Sequence, residues 1–421
     1  MVTDVSPIER LRDEADPVEQ TRAALSRANR NAGRNTYIVL DAEWTLAEAS
    51  RQAERRPSPL RGIPVALKDC FDLAGFPTSS GSKFYAAQGP AAKDSAVAKR
   101  LRQQGAVIVG KTHLHQLAYG ITGENSEYGD CLQPRDAALL TGGSSSGSAA
   151  AVQEGSALAA IGTDTGGSVR APAALCGLSG YRSSLGIGDW RGGQHLSETF
   201  DTIGWLFRDL SDAPLLAEAL FDLPVGGPEH GDLHIGVLSG DFLDDCDAPV
   251  RQALEEWKER LRRVATVKRM EVPAFWFGAW DIYAPIQAAE ASAIHAGRYE
   301  RFEPTIAARL AWGASLSEEQ VRNYRQRHAE YREKLRPIFA EFDCVLAPVT
   351  PVSRLLAGAD HTESRARILR HTTQASLGGL PAVVLPGTCG VQLMAAQYDD
   401  RRLLGMAAKL GAIVAAENRA A

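Results

Sequence analysis

The sequence predicts an α/β fold in which helices cover both faces of a sheet. Three observations predict it. Short apolar runs recur along the chain, each of strand length. Helical stretches with polar or small-residue patterning separate them, an alternation that belongs to sheets with covered faces. The composition, 44% hydrophobic residues with 39 glycines and 21 prolines, is that of an ordinary globular chain, and 421 residues suit one large α/β unit.

Helical patterning runs from Pro17 to Arg30 and from Thr45 to Glu54, so residues 1–60 read as a helical segment packed on the remainder. GIPVALK (62–68) is the first strand. Asp94 is placed to cap a helix that runs to Gln104, and Gly105 ends it. AVIVG (106–110) is a buried strand, Gly147–Gln153 an alanine-rich helix, and ALAAIGT (157–163) another strand. A further helix opens near Ser168, with Pro172 close to its first turn. DLPVGGPEHGD (222–232) reads as an internal linker between lobes of a single domain spanning 1–421, and strands on its two sides can still join one sheet. Beyond it come strands at 233–238, 342–348, 381–386 and 390–395, a helix near 247–263 and a long polar helix near 317–337.

Composition excludes several function classes. With 46 basic against 51 acidic residues the net charge is −5, which offers no electrostatic footprint for nucleic acid and no polybasic membrane anchor. The opening MVTDVSPIERLRDEADPVEQ has neither the apolar core nor the basic leader of a signal peptide, and no apolar stretch approaches membrane-spanning length. The six cysteines are scattered without a CxxC pair, as expected for reduced, buried thiols in a cytoplasmic protein.

Four short patterns invite function and fail on physics. GAVIVGKT (105–112) fits a phosphate-loop expression, but its four middle residues favour a strand over a loop of N–H groups. PVALKD (64–69) resembles the kinase lysine strand without any HRD or DFG downstream. His113 and His115 form an HxH pair with no second ligand-spaced cluster, which argues against a metal-dependent amidohydrolase. GSSSG (143–147) fits a nucleophile elbow centred on Ser145, yet a loop rather than a strand precedes it and no informative histidine follows.

What remains is a constellation of GIPVALKD (62–69), TGGSSSGSAAAV (141–152) and GTDTGGSVRAPAALCG (162–177). In the last, an apolar strand runs into Gly-Thr-Asp-Thr-Gly-Gly before Ser168. Two glycines let successive N–H groups turn to one side and form an anion-accepting nest. A helix N-terminus adds positive potential, and together these suit a tetrahedral oxyanion. Ser168 sits beside that nest and needs a base. Lys68, at the end of an apolar strand, can supply one because desolvation disfavours its ammonium form.

These three segments resemble the signature of the amidase signature family, serine hydrolases with a Ser–cisSer–Lys triad. The match runs without a gap from Gly142 to Gly177, and GAVIVGKTHLHQLAYGITGENSEYG resembles the family's intervening segment; the similarity covers most of residues 35–210 and fades afterwards, with GLPAVVLP and GVQLMA still recognisable. The resemblance implies a large mixed sheet and hydrolysis of a small carboxamide C–N bond. It implies Lys68 as base, Ser144 on a cis peptide bond as proton relay, and Ser168 as nucleophile forming an acyl-enzyme. It implies an oxyanion hole from the N–H groups of Thr165, Gly166, Gly167 and Ser168. Ser145, Asp164 and Arg170 support the site, while Tyr119 and Gly120 fall where family members line the acyl pocket. No cofactor or metal is implied; the partner is a small amide, with no nucleic acid or membrane, and a homodimer is admitted.

The family includes A-type subunits of tRNA-dependent amidotransferases, a malonamidase-like member and hydrolases of ureido compounds. Ala171, where the first group carries glutamine, and the lack of a nearby carboxylate-gripping arginine weaken the first two readings. Gln133-Pro134 in place of Asn-Pro and a short loop between LPGT and GVQL also depart from the family pattern. The overall pattern is similar to compact amidases such as indole-3-acetamide hydrolases.

Overall fold

The computed structural model describes residues 6–225 and 233–420; much of the linker 222–232 lies outside the described residues. Eleven strands form one sheet: β1 (Tyr37–Val39), β2 (Pro64–Lys68), β3 (Val107–Thr112), β4 (Ala159–Asp164), β5 (Ser179–Arg182), β6 (Thr202–Phe207), β7 (His234–Ser239), β8 (Thr266–Glu271), β9 (Cys344–Pro348), β10 (Ala382–Leu385) and β11 (Val391–Ala395). Their order is β1-β3-β2-β4-β6-β5-β10-β11-β9-β7-β8, so strands from both sides of residues 226–232 share the sheet. The β2–β3, β2–β4, β7–β8 and β7–β9 pairs are parallel, and the other six are antiparallel.

Side-chain alternation divides the core between the two faces. Val65 and Leu67 pack with Ile108, Ile161 and Trp205, under helices that include Ala96–Gln103 and Asp400–Ala420. Ala66 and Ala160 belong to a separate cluster with Ala149, Val152, Val169 and Ala173. This second face is built from small residues, so the helices Ser146–Glu154 and Arg170–Leu175 lie close on the sheet.

Several boundaries differ from the sequence reading. Ser95, not Asp94, caps the helix Ala96–Gln103, its hydroxyl accepting from the Ala98 N–H at 3.2 Å. Asp94 instead accepts from the Ala74 N–H and pairs with Arg102. The N-terminal segment is not wholly helical: β1 adds an antiparallel edge beside β3. All six cysteines are buried and none forms a disulfide. Among the described residues, no helix is long and apolar enough to cross a membrane.

Candidate active site

Because β2 and β4 are parallel neighbours, their carboxyl ends open at the same edge of the sheet, where α/β folds commonly place ligands. Lys68 is the last residue of β2, and β4 ends at Asp164 before the turn Thr165-Gly166-Gly167-Ser168. The serine run arrives from the small-residue face at the start of the helix Ser146–Glu154.

Lys68 is fully buried. Its Nζ lies 2.8 Å from Ser144 Oγ and 2.7 Å from Thr163 Oγ1. Burial pulls its pKa down to about 8, opposed by the negative potential of Cys70, Asp201 and Asp164. The Gly143–Ser144 peptide is cis. The Ser145 N–H donates to the Ser168 carbonyl at 3.1 Å, which holds the serine run against the turn. Ser145 Oγ donates to the Thr163 carbonyl and accepts from the Thr163 N–H, so its hydroxyl is engaged by the backbone. Gly162 makes room for it: a Cβ there would lie 2.7 Å from Ser145 Oγ.

Gly147 is the second close approach. A Cβ at this position would meet the Thr36 carbonyl oxygen at 2.1 Å and the His113 nitrogen at 2.5 Å, both backbone atoms. Ordinarily Gly→Ala in a helix gains about 1 kcal/mol. Here Gly147→Ala is expected to cost about 1–3 kcal/mol through overpacking, read as a lower denaturant midpoint; an unchanged or higher midpoint would show that the helix shifts freely.

Asp164 organises the turn. Its carboxylate accepts from the backbone N–H groups of Gly167 (2.9 Å), Val169 (3.1 Å) and Arg170 (3.2 Å). It also pairs with the guanidinium groups of Arg170 and Arg182, both at 2.9 Å. Burial alone would raise this carboxyl, but the two arginines outweigh it and hold it well below the usual range. The helix therefore starts at Arg170 rather than at Ser168, because the Asp164 carboxylate rather than the serine hydroxyl occupies its first N–H groups. In this state the Gly167 N–H is also committed to Asp164. Arg170 reaches on to the Thr372 carbonyl and Gln392 Oε1, each at 3.0 Å, and Thr372 Oγ1 donates to the Gly166 carbonyl at 2.5 Å.

Tyr119 and Gly120 line the same cavity as Ser168 and Gly166. Beside Tyr119, Leu117 and Ala118 hold φ of 54° and 56°, left-handed conformations of the kind that gather at functional sites. The cavity measures about 20 Å3, room for one water. The larger hollows lie away from this chemistry; one of about 350 Å3 is lined by Arg100 and Asp222.

Sequence reasoning missed part of this site. Thr163, the second partner of Lys68, stood within the quoted strand segment but gave no separate signal. Tyr283 and Gln287 come from the helix Ala279–Ile294, and Arg365, Leu369 and Thr372 from the helix Thr362–Gly378. Their i, i+4 and i+7 spacings mark single helix faces, the available signal.

The rejected patterns resolve physically. Val107–Thr112 is a buried strand, and Lys111 pairs with Asp69 at 2.5 Å. His113 Nε2 donates to the Gly129 carbonyl at 2.8 Å, and burial lowers its pKa to about 4. His195 is paired with Asp201 at 3.0 Å, a contact that its sequence context did not reveal.

A family model described as Amidase matches residues 19–404. The chain belongs to the amidase family. It is accordingly a hydrolase of amide C–N bonds. This amidase is 29% identical to the AtzE component of 1-carboxybiuret hydrolase from Pseudomonas sp. (strain ADP), over 87% of this chain and 88% of that protein. It is 31% identical to the A-type subunit of glutamyl-tRNA(Gln) amidotransferase from Roseiflexus castenholzii, over 93% and 91%. A crystal structure described as an amidase superposes with a TM-score of 0.88 at 31% identity, covering 96% of this chain and 98% of that one.

Proposed function

We propose that this amidase cleaves a small carboxamide through an acyl-enzyme on Ser168, with Ser144 and Lys68 as the proton relay. The observation that carries this reading is the buried Lys68 amine, 2.8 Å from Ser144 Oγ, at the strand end facing the Ser168 turn. Neutral Lys68 takes the Ser144 proton while Ser144 takes that of Ser168. Ser168 Oγ bonds to the carbonyl carbon, and the electron pair moves to the carbonyl oxygen. The C–N bond then breaks as the proton returns along the relay to the leaving nitrogen. Water reverses these steps, releasing the acid and restoring Ser168.

The oxyanion rests on the N–H groups of Thr165, Gly166 and Ser168. Gly167, at φ 120°, shapes the turn, and its own N–H is held by Asp164. Tyr119 and Gly120 form one wall of the acyl pocket.

A fluorophosphonate probe followed by peptide mapping tests the assignment. Label on Ser168 is expected; label on Ser145 supports the elbow instead, and an unlabelled, fully active protein rejects a serine mechanism. The relay also fixes a pH dependence. The reactive form of Lys68 is the deprotonated one, so kcat/KM is expected to rise with pH and level off above an apparent pKa of about 8. Lys68→Met should remove that limb and lower kcat/KM by about 10³-fold or more. An unchanged limb would assign it to another group.

A further inference from the structure

Resting on this amidase reading, we infer that Arg365 recognises a carboxylate on the substrate, so the preferred substrates are short amides that carry a negative charge. Arg365 lines the cavity that Ser168, Gly166 and Tyr119 also line. Its Nε is buried and finds no hydrogen-bond acceptor, and its guanidinium forms no ion pair among the described residues. The neighbours that bear on it are the rings of Trp280, 5.6 Å away, Tyr119 and Tyr283, together with a like charge, Arg309.

Arg309 is differently placed. It donates to the Tyr119 carbonyl at 2.5 Å and has Glu303 and Glu124 near enough to favour its charge. The other buried guanidiniums beside the turn, Arg170 and Arg182, are satisfied by Asp164. Arg365 alone of these four faces the cavity without an acid of its own.

A guanidinium taken out of water without a counter-ion is unfavourable, and the group stays protonated at neutral pH. Burial, followed by repulsion from Arg309, lowers its pKa to about 10, still above that range. An arriving carboxylate would supply the missing charge through the planar donor fork that such groups match in pairs of hydrogen bonds. It would hold the ligand by one end while the amide carbonyl lies at Ser168. Because Arg365 and Ser168 line one and the same cavity, a short ligand reaches both, so the class is the monoamides of small dicarboxylic acids and ureido acids of similar length.

Malonamate, succinamate and glutaramate, each paired with a neutral amide of equal chain length, test this. The wild-type protein is expected to favour the charged member by about 10- to 100-fold in kcat/KM, as charged hydrogen bonds permit. Arg365→Gln should abolish that ratio chiefly by raising KM for the charged member, and Arg365→Lys should restore part of it. In Ser168→Ala protein, succinate should raise the melting temperature, and in the double variant with Arg365→Gln it should not. Equal losses on both members, or a wild-type preference for neutral amides, would overturn the carboxylate site. Failure of the probe to label Ser168, with turnover of either amide surviving Ser168→Ala, would instead overturn the amidase mechanism on which the site rests.

Discussion

Ser168→Ala is expected to lower kcat/KM by about 10⁵- to 10⁶-fold, the loss seen when a nucleophile is removed from a relay that works as a unit. Alanine retains the backbone at the turn, including the Ser145 N–H bond to the residue 168 carbonyl. Binding and oxyanion stabilisation therefore survive, and the residual rate should still exceed that of water. Thermal stability should change little, since the hydroxyl leaves behind no buried charge. The measurement is steady-state hydrolysis with the variant freed of wild-type contamination, alongside loss of probe labelling. A variant retaining several per cent of wild-type activity would remove Ser168 from the covalent role.

The second large effect concerns stability. Asp164→Ala is expected to cost about 3–5 kcal/mol, because it leaves Arg170 and Arg182 buried without their shared counter-ion. It also orphans the N–H groups of Gly167, Val169 and Arg170. Asp164→Asn keeps some of these bonds and should fall between Ala and wild type. Chemical denaturation at neutral pH measures the difference. The sign of its pH dependence follows from linkage. The carboxyl is held below its ordinary value of 3.8, so its contribution is complete above that pH and declines as acid titrates the folded protein. The gap between wild type and Asp164→Asn should thus be constant from neutrality to about pH 5 and narrow in strong acid. A gap already closed at pH 6 would show that the paired carboxylate is not what stabilises the turn.

Legibility in the sequence followed local physics. Apolar runs marked β2, β3, β4, β7, β9, β10 and β11 to within two residues. The polar helix expected at 317–337 is Glu318–Glu341, capped by Ser317 with Gln320 completing the box. Other strands gave weaker signals. β5 has only four residues, Ser-Gly-Tyr-Arg, and β8 is an exposed edge strand, Thr-Val-Lys-Arg-Met-Glu, with little apolar alternation. The same distinction governs the site. Lys68, Ser144 and Ser168 lie in contiguous motifs with intrinsic backbone demands. Tyr283, Gln287 and Arg365 lie on helices whose local patterning is satisfied without reference to a ligand, and only the fold brings them to Ser168.

The reach of Arg170 to Thr372 and Gln392 has a consequence for the life of the chain. Domains generally fold as units, and here the brace for an early loop comes from residues made more than two hundred positions later. A growing polypeptide can display every signature residue on the ribosome while the loop bearing Ser168 still lacks its far anchor. The turn bearing Ser168 therefore reaches its braced geometry only after Thr372 and Gln392 have been added to the chain.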